Sequence, residues 1–212
     1  MAAMKKRKAY VLTPEDYLSR EERKALLKTC QEQTQLDNLN GRKTWPVRYM
    51  LIDLALYSGL RVAEMAALKI GDLHLQGNDP YLIVRNGKGN KKRTVYIDGA
   101  LRNHLREFIQ YKMKVLRQRI ESDEPLFSGR EGHSPPITLM TSFKTACKKA
   151  GLRKELSIHS ARHTYATYLL HDTGNLRYVQ QQLGHSSIAM TSHYANILPE
   201  ENGKLANMIK RD

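Results

Sequence analysis

Cysteine is scarce in this sequence: Cys30 and Cys147 stand far apart among 212 residues and in no CxxC spacing. That excludes a disulfide scaffold and a cysteine-rich zinc site, and it predicts a reducing, intracellular compartment. Long hydrophobic runs are missing as well. The longest, residues 50–60, is too short to span a bilayer and contains Asp53. The opening stretch MAAMKKRKAY has a basic run with no apolar stretch behind it, which predicts no secretory signal. No internal repeat or low-complexity segment is present. Acid is scarce relative to base, since 35 Lys+Arg against 21 Asp+Glu leaves a net charge of +14. An excess of that size points to a polyanionic partner, either nucleic acid or an anionic membrane surface. With 41% hydrophobic and 26% charged residues the balance is globular. A chain of this length buries about 70% of its unfolded surface, so its core needs neither disulfide nor metal.

What is present reads as mostly helical. Ser19 and Glu22 have capping-box spacing and predict a helix to about Gln33, with a loop over residues 38–41. Over residues 45–57, Val47, Met50, Leu51, Leu54 and Ala55 recur at helical intervals and cover much of the circumference, which predicts a central helix. Gly59 stops it, and a short helix over residues 61–68 ends at Gly71-Asp72. The period then changes. Residues 81–84 and 94–97 are β-branched and aromatic, and the Gly/Asn-rich segment between them predicts a hairpin. Helical spacing returns over residues 100–120, followed by a Gly/Pro-rich loop over 128–136. Further helices are predicted over 138–149, 159–171, 176–183 and 188–194. Leu205, Met208 and Ile209 make the tail, 199–212, amphipathic. The expected fold class is α+β, predominantly α-helical, with one small antiparallel sheet or hairpin.

Four groups of residues can carry chemistry. The hairpin segment holds Arg85, Lys88, Lys91, Lys92 and Arg93 and no acid, so it is either a solvated turn or a device lowered into a groove. His159 and Arg162 lie three apart, which on a helix puts both on one face where a phosphate can accept from each. His163 could suggest a metal pair with His159, but the glutamate of HExxH and a third ligand are missing, so His163 reads as a core or supporting residue. Gly184-His185 is followed nine residues later by Tyr194. Arg61 follows a glycine break, with Glu64 at helical reach to orient its guanidinium or to form an ordinary surface pair with it.

Together and in this order, SGLRVAEMAAL, NGKGNKKR, IHSARHTYATYLL, LGHSS and TSHYAN resemble the motifs of the tyrosine recombinase (phage integrase) family, over residues 12–198. The resemblance implies the catalytic fold of that family. It also implies that Tyr194 is a nucleophile which cleaves DNA through a 3′-phosphotyrosyl linkage. Arg61 and Arg162 would clamp the phosphate in the transition state, His185 would add a hydrogen bond, and Glu64 would support Arg61. A tyrosine's ordinary pKa is about 10, so its phenol needs a base, and the resemblance assigns that role to His159. Lys88 would protonate the departing 5′-oxygen as general acid, with Lys91 and Lys92 as weaker substitutes. No metal, cofactor or ATP is implied.

The implied partner is double-stranded DNA, bound by a tetrameric synapse with possible accessory DNA-bending proteins, in the cytoplasm with the nucleoid and away from any membrane. Arg85, Lys91, Lys92, Arg93, the KKRK run at residues 5–8 and Lys144, Lys148 and Lys149 would track the DNA backbone. The expected organisation is a basic arm (1–12), a catalytic domain (13–198) and a tail (199–212) that packs on its own domain or on a neighbouring protomer. A separate N-terminal DNA-clamping domain is not expected, so the chain reads as a minimal recombinase or as a catalytic fragment. Two other readings are a type IB topoisomerase-like relaxing activity and a non-catalytic DNA-binding regulator on the same fold. The regulator reading must explain why Tyr194 and both arginines are retained.

Overall fold

A computed structural model describes residues 12–85, 92–130 and 132–195. The basic run at 5–8, Lys88, Lys91 and the tail at 199–212 lie outside the described residues.

Helix α1 (Arg20–Leu39) begins with the capping box read from the sequence: Glu22 N–H donates to Ser19 Oγ at 3.1 Å, and Ser19 N–H donates to Glu22 Oε2 at 2.9 Å. It runs past the expected end because nothing after Gln33 breaks it until Asn40, whose side-chain amide donates to the Leu36 carbonyl at 2.7 Å. Asp37, on its last turn, is buried, pairs with Arg42 at 3.0 Å and accepts from Trp45 N–H at 2.9 Å. The end of α1 thereby caps the start of α2 (Thr44–Ser58).

Helix α2 is the centre of the molecule. Met50, Ile52, Leu54 and Leu56 are fully buried, and α1, α4 (Gly99–Lys114), α5 (Pro136–Lys149) and α6 (Ile158–Thr173) all pack against it. With apolar residues over most of its circumference, it gives little surface to solvent. Gly59 ends it in the left-handed region, at φ +62, where a side chain would also fall on the Tyr165 ring. Short helix α3 (Val62–Ala66) follows directly.

A three-stranded antiparallel sheet comes next, β1 (Leu73–His74), β2 (Tyr81–Val84) and β3 (Arg93–Tyr96), with Leu82 opposite Val95 and Val84 opposite Arg93. Leu82, Val84, Val95 and Ile97 turn to the core. The hairpin is therefore as expected, with β1 added at its edge. The segment expected as a plain loop carries a second, two-stranded ribbon, β4 (Ser128–Gly129) with β5 (Gly132–His133). Helix α4 stops earlier than its periodicity suggests. Lys112, 1% exposed, draws Gln118 Oε1 to 2.7 Å, and Arg117 turns the chain with a φ of +57.

Helices α7 (Leu176–Leu183) and α8 (Ala189–Ala195) close onto α6. They bring Leu12, Ala166, Leu170, Val179, Leu183 and Tyr194 into a second, smaller apolar cluster beside the main one. Among the described residues no helix is long and apolar enough to cross a membrane.

Candidate active site

The carboxylate of Glu64 is the hub. As third residue of α3 it accepts from the Arg61 backbone N–H at 2.7 Å, and Arg61 Nη1 reaches the same carboxylate at 2.9 Å. Arg93, at the start of β3, adds a two-pronged contact at 2.7 and 2.8 Å. Arg162 Nη1 stands 4.0 Å away. Burial opposes ionisation of Glu64, but the hydrogen bonds and charges of Arg93 and Arg61 outweigh it and hold the carboxyl down to about 2. Three guanidinium groups thus surround one carboxylate, and the cluster keeps an excess of positive charge in a shielded place.

Arg162 is positioned by backbone. Its guanidinium donates to the Gly59 carbonyl at the end of α2 and, at 2.8 Å, to the Leu183 carbonyl at the end of α7. These helix ends present unpaired carbonyls that a buried cation can satisfy. Burial and the neighbouring Arg61 lower the Arg162 pKa to about 10, which still leaves it charged at neutral pH.

Helix α7 ends at Gly184 in the left-handed region, φ +64, and this turn delivers His185. His185 Nε2 lies 3.2 Å from Arg162 Nη2, and Nδ1 lies 3.0 Å from the Thr191 hydroxyl on α8. Burial first, and then Arg162, Arg61 and Arg93, lower the His185 pKa to about 4, so the imidazole is neutral. Tyr194 sits two turns into the same hydrophobic corner, 4% exposed, its ring nearly parallel to that of His185 at 6.4 Å. Burial raises its pKa, against the pull of Arg162 and Arg61, so the phenol keeps its proton. The phenol oxygen lies 3.1 Å from His163 Nδ1.

A guanidinium pair, a neutral imidazole and a buried phenol thus converge from four separate segments. The family model "Phage integrase family" matches residues 16–201. Tyrosine recombinase XerC of Rickettsia bellii is 35% identical over 158 residues, which are 73% of this chain and 49% of that protein. The crystal structure of XerA recombinase superposes with a TM-score of 0.72 at 26% identity, covering 99% of this chain and 68% of that one. That of XerH site-specific recombinase bound to difH substrate, a pre-cleavage complex, has a TM-score of 0.74 at 21% identity, covering 97% of this chain and 57% of that one, and shows likeness of fold.

The chain belongs to the phage integrase family. It spans about half of the length of the curated relatives it matches, 59% of one from Thermosipho africanus and 49% of the Rickettsia protein.

Within this family fold, Arg61, Glu64, Arg162, His185 and Tyr194 are brought together. The other sequence-predicted residues are distributed differently. His159 lies exposed on the first turn of α6, and it is His163, one turn on, that meets the phenol. Arg85 pairs with buried Asp72 at 2.5 Å, and Lys92 is exposed. Arg93 turns inward, its side chain 13% exposed, onto Glu64. Thr191, fully buried beside His185, had no mark in the sequence beyond a helical spacing of three from Tyr194. The inward turn of Arg93 was readable, because it shares the alternate positions of Val95 and Ile97.

Proposed function

We propose that this chain is the catalytic part of a site-specific DNA recombinase acting on double-stranded DNA. The observation that carries the reading is the excess positive charge of Arg61, Arg93 and Arg162 around the single carboxylate of Glu64, next to the buried Tyr194 phenol. Three guanidinium groups against one carboxylate leave two positive charges, so the cluster attracts a phosphodiester and favours the doubly charged transition state more.

In the cleavage step the Tyr194 oxygen attacks the scissile phosphorus and the bond to the 5′-oxygen breaks. The result is a 3′-phosphotyrosyl ester and a free 5′-hydroxyl. In the rejoining step a 5′-hydroxyl attacks that ester and releases the tyrosine. The ester is kept throughout, so no ATP is consumed. Charge accumulating on the non-bridging oxygens is met by Arg61 and Arg162, and one preorganised donor of this kind is worth roughly 3–4 kcal/mol of barrier. His185 donates only when Nε2 carries a proton, and an arriving phosphate favours that state by raising the imidazole pKa.

The phenol proton has two possible acceptors on α6. The family pattern assigns it to His159, whereas the 3.1 Å contact supports His163 as the first acceptor. Lys88 is the proposed general acid on its place in the hairpin motif, and Lys92 a backbone contact. Exchange between two duplexes cuts four strands, and one Tyr194 per chain makes the proposed synapse a tetramer.

The test uses a pool of nicked suicide duplexes with randomised arms, followed by a denaturing gel for covalent protein–DNA adducts. The parent is expected to form adducts and Tyr194→Phe none. Equal adduct formation by the two would sink the reading.

A further inference from the structure

Arg93 touches three elements with one side chain. It begins β3, the strand that returns from the hairpin turn. Its Nη1 and Nη2 grip the two oxygens of Glu64 on α3 at 2.7 and 2.8 Å. Its Nε donates to the Gln182 carbonyl at 3.3 Å, near the end of α7. Its shaft covers Gly184, where an added Cβ would come within 2.7 Å of Arg93 Cδ. Gly184 immediately precedes His185.

We propose that Arg93 is a positioning residue that holds the Arg61–Glu64 pair, the His185 turn and the returning hairpin strand in one register. The inference rests on the reading that this cluster binds the scissile phosphate. The hairpin strand is thereby tied to Glu64, which holds Arg61, and to the turn that delivers His185.

The chemistry requires arginine at this position. A guanidinium fork serves both carboxylate oxygens at once and still has Nε to donate elsewhere, whereas lysine offers a single point charge. Among the described residues the charged groups facing Glu64 are Arg61, Arg93 and, at 4.0 Å, Arg162. Without Arg93 the buried carboxylate draws more heavily on Arg61, the residue that should face the phosphate. The Gln182 carbonyl also loses its donor, and the wall behind Gly184 is gone.

The test compares Arg93→Met, Arg93→Lys, Glu64→Gln and the double variant Arg93→Met/Glu64→Gln, each first checked for folding by circular dichroism. On the pool of nicked suicide duplexes at saturating concentration, Arg93→Met should slow adduct formation about 100-fold, the scale of a misplacement near 1 Å. Arg93→Lys should recover only part of the rate. DNA affinity and its salt dependence should stay as in the parent. The two single effects should fall well short of additive in the double variant, since both act through one pair.

A second readout needs no DNA. With Glu64 held at about 2, the parent keeps this group's contribution as pH falls through the ordinary carboxylate range. In Arg93→Met that contribution should be lost at higher pH, and in the Glu64→Gln background the difference should vanish. Three results would overturn the proposal. One is weaker affinity with a shallower salt slope and an unchanged rate at saturation, which marks a backbone contact. The others are full additivity and an unchanged acid-unfolding curve. If the parent forms no adduct on any duplex, the recombinase reading fails, and acid unfolding still judges Arg93 by itself.

Discussion

Arg162 Nη2 donates to His185 Nε2 across 3.2 Å, and that contact dictates the state of the imidazole. A guanidinium has no acceptor, so Nε2 carries the lone pair and Nδ1 carries the proton. The proton points to Thr191 Oγ, 3.0 Å away and fully buried. In the free protein His185 is thus an acceptor held ready by its neighbours, and it becomes a donor only in response to an anion.

Thr191 is therefore expected to matter although it touches no phosphate. Thr191→Val leaves the Nδ1 proton without an acceptor. Adduct formation should fall about 10-fold, the equivalent of one supporting hydrogen bond of ~1.4 kcal/mol, with DNA affinity unchanged. Thr191→Ser keeps the hydroxyl and should retain most of the rate. The nitrogen-15 shift of His185 Nδ1 should change in Thr191→Val, where its proton has lost the hydroxyl acceptor, and stay put in Thr191→Ser.

The contact between Tyr194 and His163 makes a prediction about pH. Burial, with Arg162 and His159 nearby, lowers the His163 pKa, while Asp16 opposes the shift. A base with a lowered pKa stays unprotonated further into acid. The acid limb of adduct formation should therefore lie below the ordinary histidine value of about 6.5. His163→Phe should abolish that limb and slow the step by about 10²–10⁴-fold. His159→Phe should leave the limb in place. The reverse pattern would transfer the role to His159.

Lys112 makes a contribution to stability that rises in alkali. It is buried against Phe108, with Nζ donating to Gln118 Oε1 at 2.7 Å and Ser128 Oγ at 3.1 Å. Burial lowers its pKa from 10.5 to about 8, the charge of Glu124 opposing the shift. Between those values the folded state has shed a proton that the unfolded chain still holds. The Lys112 contribution to stability should therefore increase with pH across this window, by about 3 kcal/mol in total, while buried Cys30 and Cys147, whose pKa burial raises from 9.0 to about 12, pull the other way. Urea unfolding of the parent and of Lys112→Met, compared pH by pH, should differ by the Lys112 slope, because the cysteine contribution is common to both.

Much of the fold was legible in local pattern. The Ser19/Glu22 box marks the start of α1, the apolar residues over much of the circumference of α2 mark the centre, and two β-branched runs mark the hairpin. These signals depend on neighbours in sequence, and so they survive in one dimension. The early end of α4 did not. It depends on Lys112 meeting Gln118 and Ser128, groups gathered only when the ribbon β4–β5 folds against the helix. That ribbon is two residues per strand, too short to show a period of two.

The sequence by itself determined the residue types of the site and their order, since Arg61, Glu64, Arg162, His185 and Tyr194 stand in motifs whose local rules are helix caps, helix faces and glycine stops. Tertiary structure alone decided which groups meet. It set His163 rather than His159 beside the phenol, gave the inward-facing Arg93 its partner in Glu64, and gave His185 its tautomer through Arg162 and Thr191. The physical reason is common to all three. A hydrogen bond is settled within a few tenths of an ångström and by what is buried around it, and both depend on how α3, β3, α6, α7 and α8 pack together.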